Sequence, residues 1–233
     1  MCSSDLGPPS SPTADHGALP VPTAEEIAAT QARTGFSHLE VRLDPPGLRK
    51  SDLPELQLDL SGIAKGFAVD ALAELLEARG TTSYLVEIGG EVRVGKAKPD
   101  GSPWRIGIEA PVEDERTVHR VLSLVDTALA TSGDYRNFFV SGGRRYSHLI
   151  DPRTGRPVAS AELGSVSILA PTCQFADSMA TALFVLGSKE GASLAERRML
   201  DTLFLVRQSE GISAIVTGAF EKFTRDSDQW TGN

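Results

Sequence analysis

Residues 83–109 read Ser83-Tyr-Leu-Val-Glu-Ile-Gly-Gly-Glu-Val-Arg-Val-Gly-Lys-Ala-Lys-Pro-Asp-Gly-Ser-Pro-Trp-Arg-Ile-Gly-Ile-Glu109. Two strand-like stretches, 83–88 and 91–96, flank Gly89-Gly90, which marks a turn between them. A further turn at Asp100-Gly101 precedes a third strand, 104–109. Strands joined this closely pair antiparallel, because a parallel pair needs a crossover of a dozen residues or more. The pattern continues outward with strands at 118–125, 136–140 and 144–150, and with turns at Gly133-Asp134 and Gly142-Gly143. Towards the C-terminus it gives a strand at 165–170, helices at about 174–186 and 188–199, and strands at 202–207 and 212–217. Upstream, Thr23-Ala24-Glu25-Glu26 is a Thr-x-x-Glu capping box that opens a helix through about Arg33. Alternation predicts strands at 38–43 and 56–60, the second broken by Ser61-Gly62. Helical spacing of Ile63, Phe67, Ala71, Leu72, Leu75 and Ala78 predicts a helix over 63–79, stopped by Gly80. Hairpins with a few helices, rather than alternating βα units, indicate an α+β fold with largely antiparallel sheet and flanking helices.

The chain has 233 residues, of which 31 are acidic and 23 basic, so 23 − 31 gives a net charge of −8. Hydrophobic residues make up 40% and charged residues 23%, a balance that excludes a disordered tail, a fibre or a coiled coil. A pI near 5.1 argues against a nucleic-acid surface, and the densest basic runs are only Arg144-Arg145 and Arg197-Arg198. No stretch approaches the ~20 consecutive apolar residues of a membrane helix. The two cysteines, Cys2 and Cys173, form no CxxC or Cys/His cluster, which disfavours a disulfide scaffold or a structural zinc site. Residues 1–22 are rich in Pro, Ser and Gly and read as a flexible lead-in to a domain spanning 23–233. No basic segment leading into an apolar core is legible there, and Met1–Leu6 contrasts so sharply with the Ala/Leu/Arg-rich remainder of the chain that it reads as non-native.

Four clusters could carry chemistry. Asp59-Leu60-Ser61-Gly62-Ile63-Ala64-Lys65-Gly66 lies at a strand-to-helix junction, where glycines admit a ligand and helix-start amides face an anion. Lys65 could meet a phosphate and Asp59 a ribose or base; a plain helix start with a solvated lysine reads equally well. The Walker A spacing is absent. Ala130-Thr131-Ser132-Gly133-Asp134-Tyr135 reads as a turn able to wrap a phosphate or approach a flavin, or simply as a turn. In Tyr146-Ser147-His148-Leu149-Ile150-Asp151-Pro152-Arg153-Thr154-Gly155, a rigid turn comes directly after His148, so its imidazole could accept a proton from a hydroxyl, although a packed or surface histidine is common. His16, His38 and His119 carry no such context. Asp177 and Thr181 lie four apart on a helix and so share one face. Together they offer two hard oxygen ligands for Mg²⁺, with Phe175, Met179, Leu183 and Leu186 expected on the opposite, apolar arc. Alternatively, Asp177 offsets its own helix dipole.

Taken together, Asp59–Asp70, Glu87–Lys96, Ala128–Phe139, Arg144–Val158 and Ser165–Gly187 resemble, in order and spacing, the FAD:protein FMN transferases of the ApbE type, with the similarity running from about residue 20 to 220. The resemblance implies Mg²⁺-dependent transfer of FMN from FAD to a Thr or Ser hydroxyl of a target flavoprotein, with a phosphodiester formed and AMP released. It implies that Asp177, Thr181 and the carbonyl of Gly62 hold Mg²⁺, that Asp59 and Lys65 contact FAD, and that Ile150 lines the flavin end. His148 is then the base, and Ser132-Gly133-Asp134 lies near the flavin or its pyrophosphate. Hydrolysis of FAD to FMN and AMP and a non-catalytic flavin-binding module are the alternatives. The family's usual upstream Met-Gly-Thr strand and Phe-Asp-x-Thr-x-Gly-Pro turn are absent from the sequence, so an N-terminally shortened domain is expected. A location on the periplasmic side of the bacterial inner membrane, often as a lipoprotein, is implied by the resemblance alone.

Overall fold

The computed structural model describes residues 21–51, 53–112, 117–133, 138–141, 144–158 and 162–224. The capping box forms: the Glu26 amide donates to Thr23 Oγ1 at 3.2 Å, the Thr23 amide donates to the Glu26 carboxylate at 2.8 Å, and α1 runs Ala24–Gln31. A hairpin of β1, Leu39–Leu43, and β2, Pro46–Lys50, comes next. The sequence pattern showed only its first strand, because Pro46-Gly47 at the start of the second reads as a breaker.

The strand expected over 56–60 does not form. Asp59 Oδ1 accepts from the Ser61 amide at 2.8 Å, and this local turn competes with ladder pairing. Leu56 is buried, but Leu58 and Leu60 are left exposed. The turn feeds α2, Ala64–Ala78, and Gly80 ends it in the left-handed region at φ +85°. β3, Leu85–Ile88, and β4, Glu91–Val94, make the anticipated hairpin, with Gly89 and Gly90 both at positive φ. β5, Trp104–Glu109, pairs with β6, Val118–Leu124.

The next element corrects the sequence reading. Thr127–Gly133 is strand β7, so Ser132 and Gly133 sit in a ladder, opposite Val166 and Ser165, and not in a turn; Asp134 lies outside the described residues. Its small residues hid it, since Ala and Gly are weak strand formers. Those residues also let a helix approach: Ala128 and Ala130 are fully buried. β8, Phe138–Ser141, pairs with β9, Arg144–Ser147, and β10, Ile150–Asp151, with β11, Arg156–Pro157. β12, Leu163–Ala170, precedes α3, Cys173–Arg197, which breaks at Gly187 (φ 82°, ψ 173°) near the expected division into two helices. β13, Asp201–Arg207, and β14, Ile212–Thr217, close the fold.

The main sheet has the order β14-β13-β12-β7-β4-β3, antiparallel at every step. On one face, Ala130, Val166, Ile168 and Phe204 pack with Ala176, Ala180, Leu183 and Phe184 of α3. On the other, Leu129, Leu169, Leu203 and Leu205 pack with Ile108 and Leu122 of the β5–β6 hairpin and with Phe220. Covering both faces explains why all eight residues of β12 are buried rather than every second one.

The helices are locked to each other at their starts. Neither N-cap residue, Ile63 or Thr172, makes a side-chain cap. Instead, the Cys173 and Gln174 amides donate to Asp70 Oδ1 and Oδ2 at 2.9 and 2.8 Å, and the Gly66 amide donates to Asp177 Oδ2 at 2.9 Å. Each helix thus caps the other with a carboxylate. The approach is so close that a Cβ on Gly66 would collide with the Cys173 carbonyl oxygen and lie 2.7 Å from Gln174 Cα. Gly→Ala in an exposed helix gains about 1 kcal/mol. Here Gly66→Ala is expected to cost about 2–4 kcal/mol through overpacking, read as a lowered urea midpoint at unchanged slope.

Candidate active site

The α2–α3 crossing also gathers the polar side chains that the sequence singled out. Asp177 and Thr181 project from successive turns of α3. An added Cβ on Gly62, in the turn before α2, would lie 3.5 Å from Thr181 Cγ2 and 3.7 Å from its Oγ1. From the sheet, Ser132 Oγ stands 3.0 Å from Thr181 Oγ1. Gly62, Ser132, Asp177 and Thr181 therefore meet where helix starts and sheet converge.

Of the residues expected on the apolar arc, Leu183 is fully buried and Met179 and Leu186 pack against the core, but Asp177 also points inward and Phe175 outward. Asp177 is 3% exposed, whereas Phe175 is 43% exposed. The reason is the lock itself: a carboxylate that caps a neighbouring helix must point inward, so Asp177 serves α2 rather than its own dipole. Asp177 Oδ2 takes the Gly66 amide, and Oδ1 has no hydrogen-bond donor among the described residues. Burial raises the Asp177 carboxyl above its ordinary range, opposed by the Gly66 amide and by the charge of Lys65.

Lys65 is not merely solvated. Its Nζ lies 2.7 Å from Oε1 of Glu91, a residue that the sequence reading gave no role. Glu91 is 2% exposed and its Oε2 has no hydrogen-bond partner among the described residues. Burial raises its carboxyl, opposed by Lys65 and reinforced by the negative charge of Asp177. A glutamate directly after a Gly-Gly turn ordinarily faces water, so only its alternation with inward-facing positions of β4 could have flagged it.

The other predicted residues lie further out. Asp59 is exposed and held below the usual carboxylate range by its bonds from Ser61. Its contacts are with that turn and not with the Asp177–Thr181 group. His148 lies on an exposed bend between β9 and β10, and Ile150 is 51% exposed. Leu149 between them packs against the α3 core. Arg153 anchors this segment, bonding Asp151 Oδ2 and, at 2.8 Å, Glu190 of α3. Gly133 stays within its ladder.

Chemically, a carboxylate oxygen that takes no donor among the described residues, a hydroxyl and an adjacent glycine backbone form a hard-oxygen set suited to a small divalent cation. No group of three or more His, Cys, Asp or Glu is placed to hold a metal among the described residues, so any such site is of this mixed kind.

A domain of this fold, with an oxygen-lined site at paired helix starts, matches known proteins along most of its length. The chain belongs to the ApbE family, whose model matches residues 11–204. It is 44% identical over 203 residues to an FAD:protein FMN transferase of Vibrio cholerae, covering 87% of this chain and 60% of that protein. It is 40% identical over 210 residues to the FAD:protein FMN transferase of Haemophilus influenzae, covering 89% and 60%. The solved flavin transferase ApbE from Vibrio cholerae superposes with a TM-score of 0.77 at 43% identity, covering 88% of this chain and 65% of that structure. The chain thus spans about three fifths of the length of the curated relatives it matches.

The shared role of Asp177 predicts a split between two variants. Asp177→Ala strands the buried Gly66 amide and is expected to lower stability by about 1–3 kcal/mol. Asp177→Asn keeps an acceptor and removes a buried charge, so its urea midpoint is expected at or above that of the wild type.

Proposed function

We propose that the protein transfers the FMN part of FAD to a threonine or serine hydroxyl of a target flavoprotein, forming a phosphodiester and releasing AMP in a Mg²⁺-dependent reaction. The observation that carries this reading is the convergence of Gly62, Asp177 and Thr181 beside the Lys65 ammonium, in a chain whose relatives bear that activity in their names. Asp177, Thr181 and the Gly62 carbonyl would hold Mg²⁺, and the fit is supported by Asp177 Oδ1, which takes no donor among the described residues. When bound, the cation supplies charge neutralisation on the diphosphate and Lewis acidity.

The chain's own residues do the rest. Ser132 orients the Thr181 hydroxyl by their shared hydrogen bond. Lys65 spends one N–H on Glu91 and has others to offer phosphate oxygens. Asp59, at the entry to α2, and Ile150, exposed on β10, offer contacts for opposite ends of FAD. Gly133, which ends β7 beside Ser132, and Asp134, the next residue in sequence, are assigned to the flavin or pyrophosphate end of FAD. An unactivated Ser or Thr hydroxyl is a poor nucleophile, so His148 takes its proton as the oxygen bonds to the FMN phosphorus. The bond from that phosphorus to the bridging oxygen breaks, and AMP leaves with that oxygen. The proposal includes action on the periplasmic side of the bacterial inner membrane. Among the described residues, no helix is long and apolar enough to cross a membrane.

Incubation with FAD, Mg²⁺ and a candidate acceptor should add an FMN phosphodiester to one acceptor Thr or Ser, seen by mass spectrometry, with AMP released in equal amount. FMN and AMP without acceptor labelling would indicate hydrolysis, and bound FAD without AMP a binding module. Asp177→Ala should abolish the Mg²⁺-dependent release of AMP; unchanged turnover at saturating FAD would count against the metal role. His148→Ala should leave FAD affinity unchanged and slow transfer by about 10²–10⁴, the range for a lost acid–base group.

A further inference from the structure

Glu91 is a carboxylate that the proposed mechanism does not use, and its environment is costly. It opens β4, is 2% exposed, and makes its one side-chain ion pair among the described residues with Lys65, while Oε2 goes without a partner. A buried charge is tolerated when it is paired, and removing the partner of such a pair is strongly destabilising. The Lys65 side chain, by contrast, is 45% exposed, and a lysine kept for solvation needs no buried counter-ion. Its path is also built. Gly89, in the left-handed region at φ +58°, leaves room for the stem, since an added Cβ there would lie 3.3 Å from Lys65 Cδ. The stem thus passes Gly89, and the ammonium ends on Glu91 Oε1 at 2.7 Å.

This path starts in the first turn of α2, one residue before the Gly66 amide that bonds Asp177. Lys65 therefore lies within electrostatic reach of both buried carboxylates. We propose that Glu91 is a positioning residue: it fixes the otherwise flexible Lys65 ammonium in one place beside the Gly62–Asp177–Thr181 group, so that its remaining N–H donors meet the diphosphate of FAD in the orientation the transfer requires. The proposal rests on the transferase reading. It adds a role for a residue outside the expected ligand set, and that role is to orient Lys65 rather than to touch the substrate. Alignment is where a loosened ammonium costs most. A free lysine can still reach an anion, so binding survives, but the fraction of bound complexes in reactive geometry falls.

A double-mutant cycle of Glu91→Gln and Lys65→Met tests it, read by AMP release, FAD affinity and thermal melting. Glu91→Gln should lower kcat by about tenfold or more and leave the FAD Kd within about threefold. In the Lys65→Met background the same change should alter kcat by less than about twofold, because its only route of action is gone. Lys65→Met alone should melt lowest, and adding Glu91→Gln should restore part of the loss by removing the unpaired buried charge. Glu91→Met, an apolar side chain of similar length, repeats the cycle without an amide to satisfy. Equal losses of kcat in both backgrounds, additive melting shifts, or wild-type kcat in Glu91→Gln would each overturn the positioning role. A wild-type protein that releases neither FMN nor AMP from FAD with Mg²⁺ would overturn the transferase reading instead, and the positioning role would fall with it.

Discussion

Two helix starts share two carboxylates, and the rest of the site depends on that exchange. An isolated helix leaves its first four amides without partners, and α2 and α3 begin without side-chain caps of their own. Asp70 of α2 serves Cys173 and Gln174, while Asp177 of α3 serves Gly66. The exchange fixes both the separation and the register of the helices, since each carboxylate must reach the other's first turn. Only glycine at 66 permits the approach. Asp70 is held in turn by Arg93 of β4 at 2.9 Å, which ties the pair to the sheet.

The same exchange concentrates charge. Two helix starts, each worth roughly half a positive charge, face one another with Asp70 and Asp177 between them. Glu91 adds a third buried carboxylate; Lys65 answers Glu91, and Arg93 answers Asp70. Around Asp177 the nearest formal charges are Asp177 and Glu91 against Lys65, a net of −1. That balance favours a cation before an anion. A diphosphate brought there alone would meet two carboxylates and one ammonium, whereas one accompanied by a divalent cation meets a neutralised surface.

How much of this was legible in the sequence depends on the range of each interaction. Local signals read well: the Thr23–Glu26 box, the Gly80 stop, the Gly89-Gly90 hairpin and the division of α3 near Gly187 all depend on residues within a few positions of one another. The pairing of Asp177 with Thr181 was equally local, being one helical turn. The misses share a non-local cause. β7 looks like a turn because Ala128 and Ala130 pack against the helices and have little strand propensity. The burial of Asp177 was missed because a buried aspartate makes sense only once the Gly66 amide, 111 residues earlier, is in view. Asp70 and Glu91 lacked any motif for the same reason, since their partners lie 103 and 26 residues away in sequence.

The break at Gly187 then divides the labour of α3. Residues before it carry Asp177 and Thr181 and are clamped by Asp70 and by the small side chains of β7. Residues after it carry Glu190, which holds Arg153 and through it the turn beyond His148 and Ile150. α1 supports that turn from outside: Gln31 bonds the Pro152 carbonyl at 3.3 Å, and its stem packs against Gly155. Asp177 and Thr181 and the histidine segment are therefore anchored to different halves of one helix, joined by a residue whose φ of 82° lies in the region that favours glycine. A side chain at 187 would strain that junction although nothing lies within 4 Å of it. Backbone conformation at residue 187 thus sets how the two halves of α3 are oriented to each other.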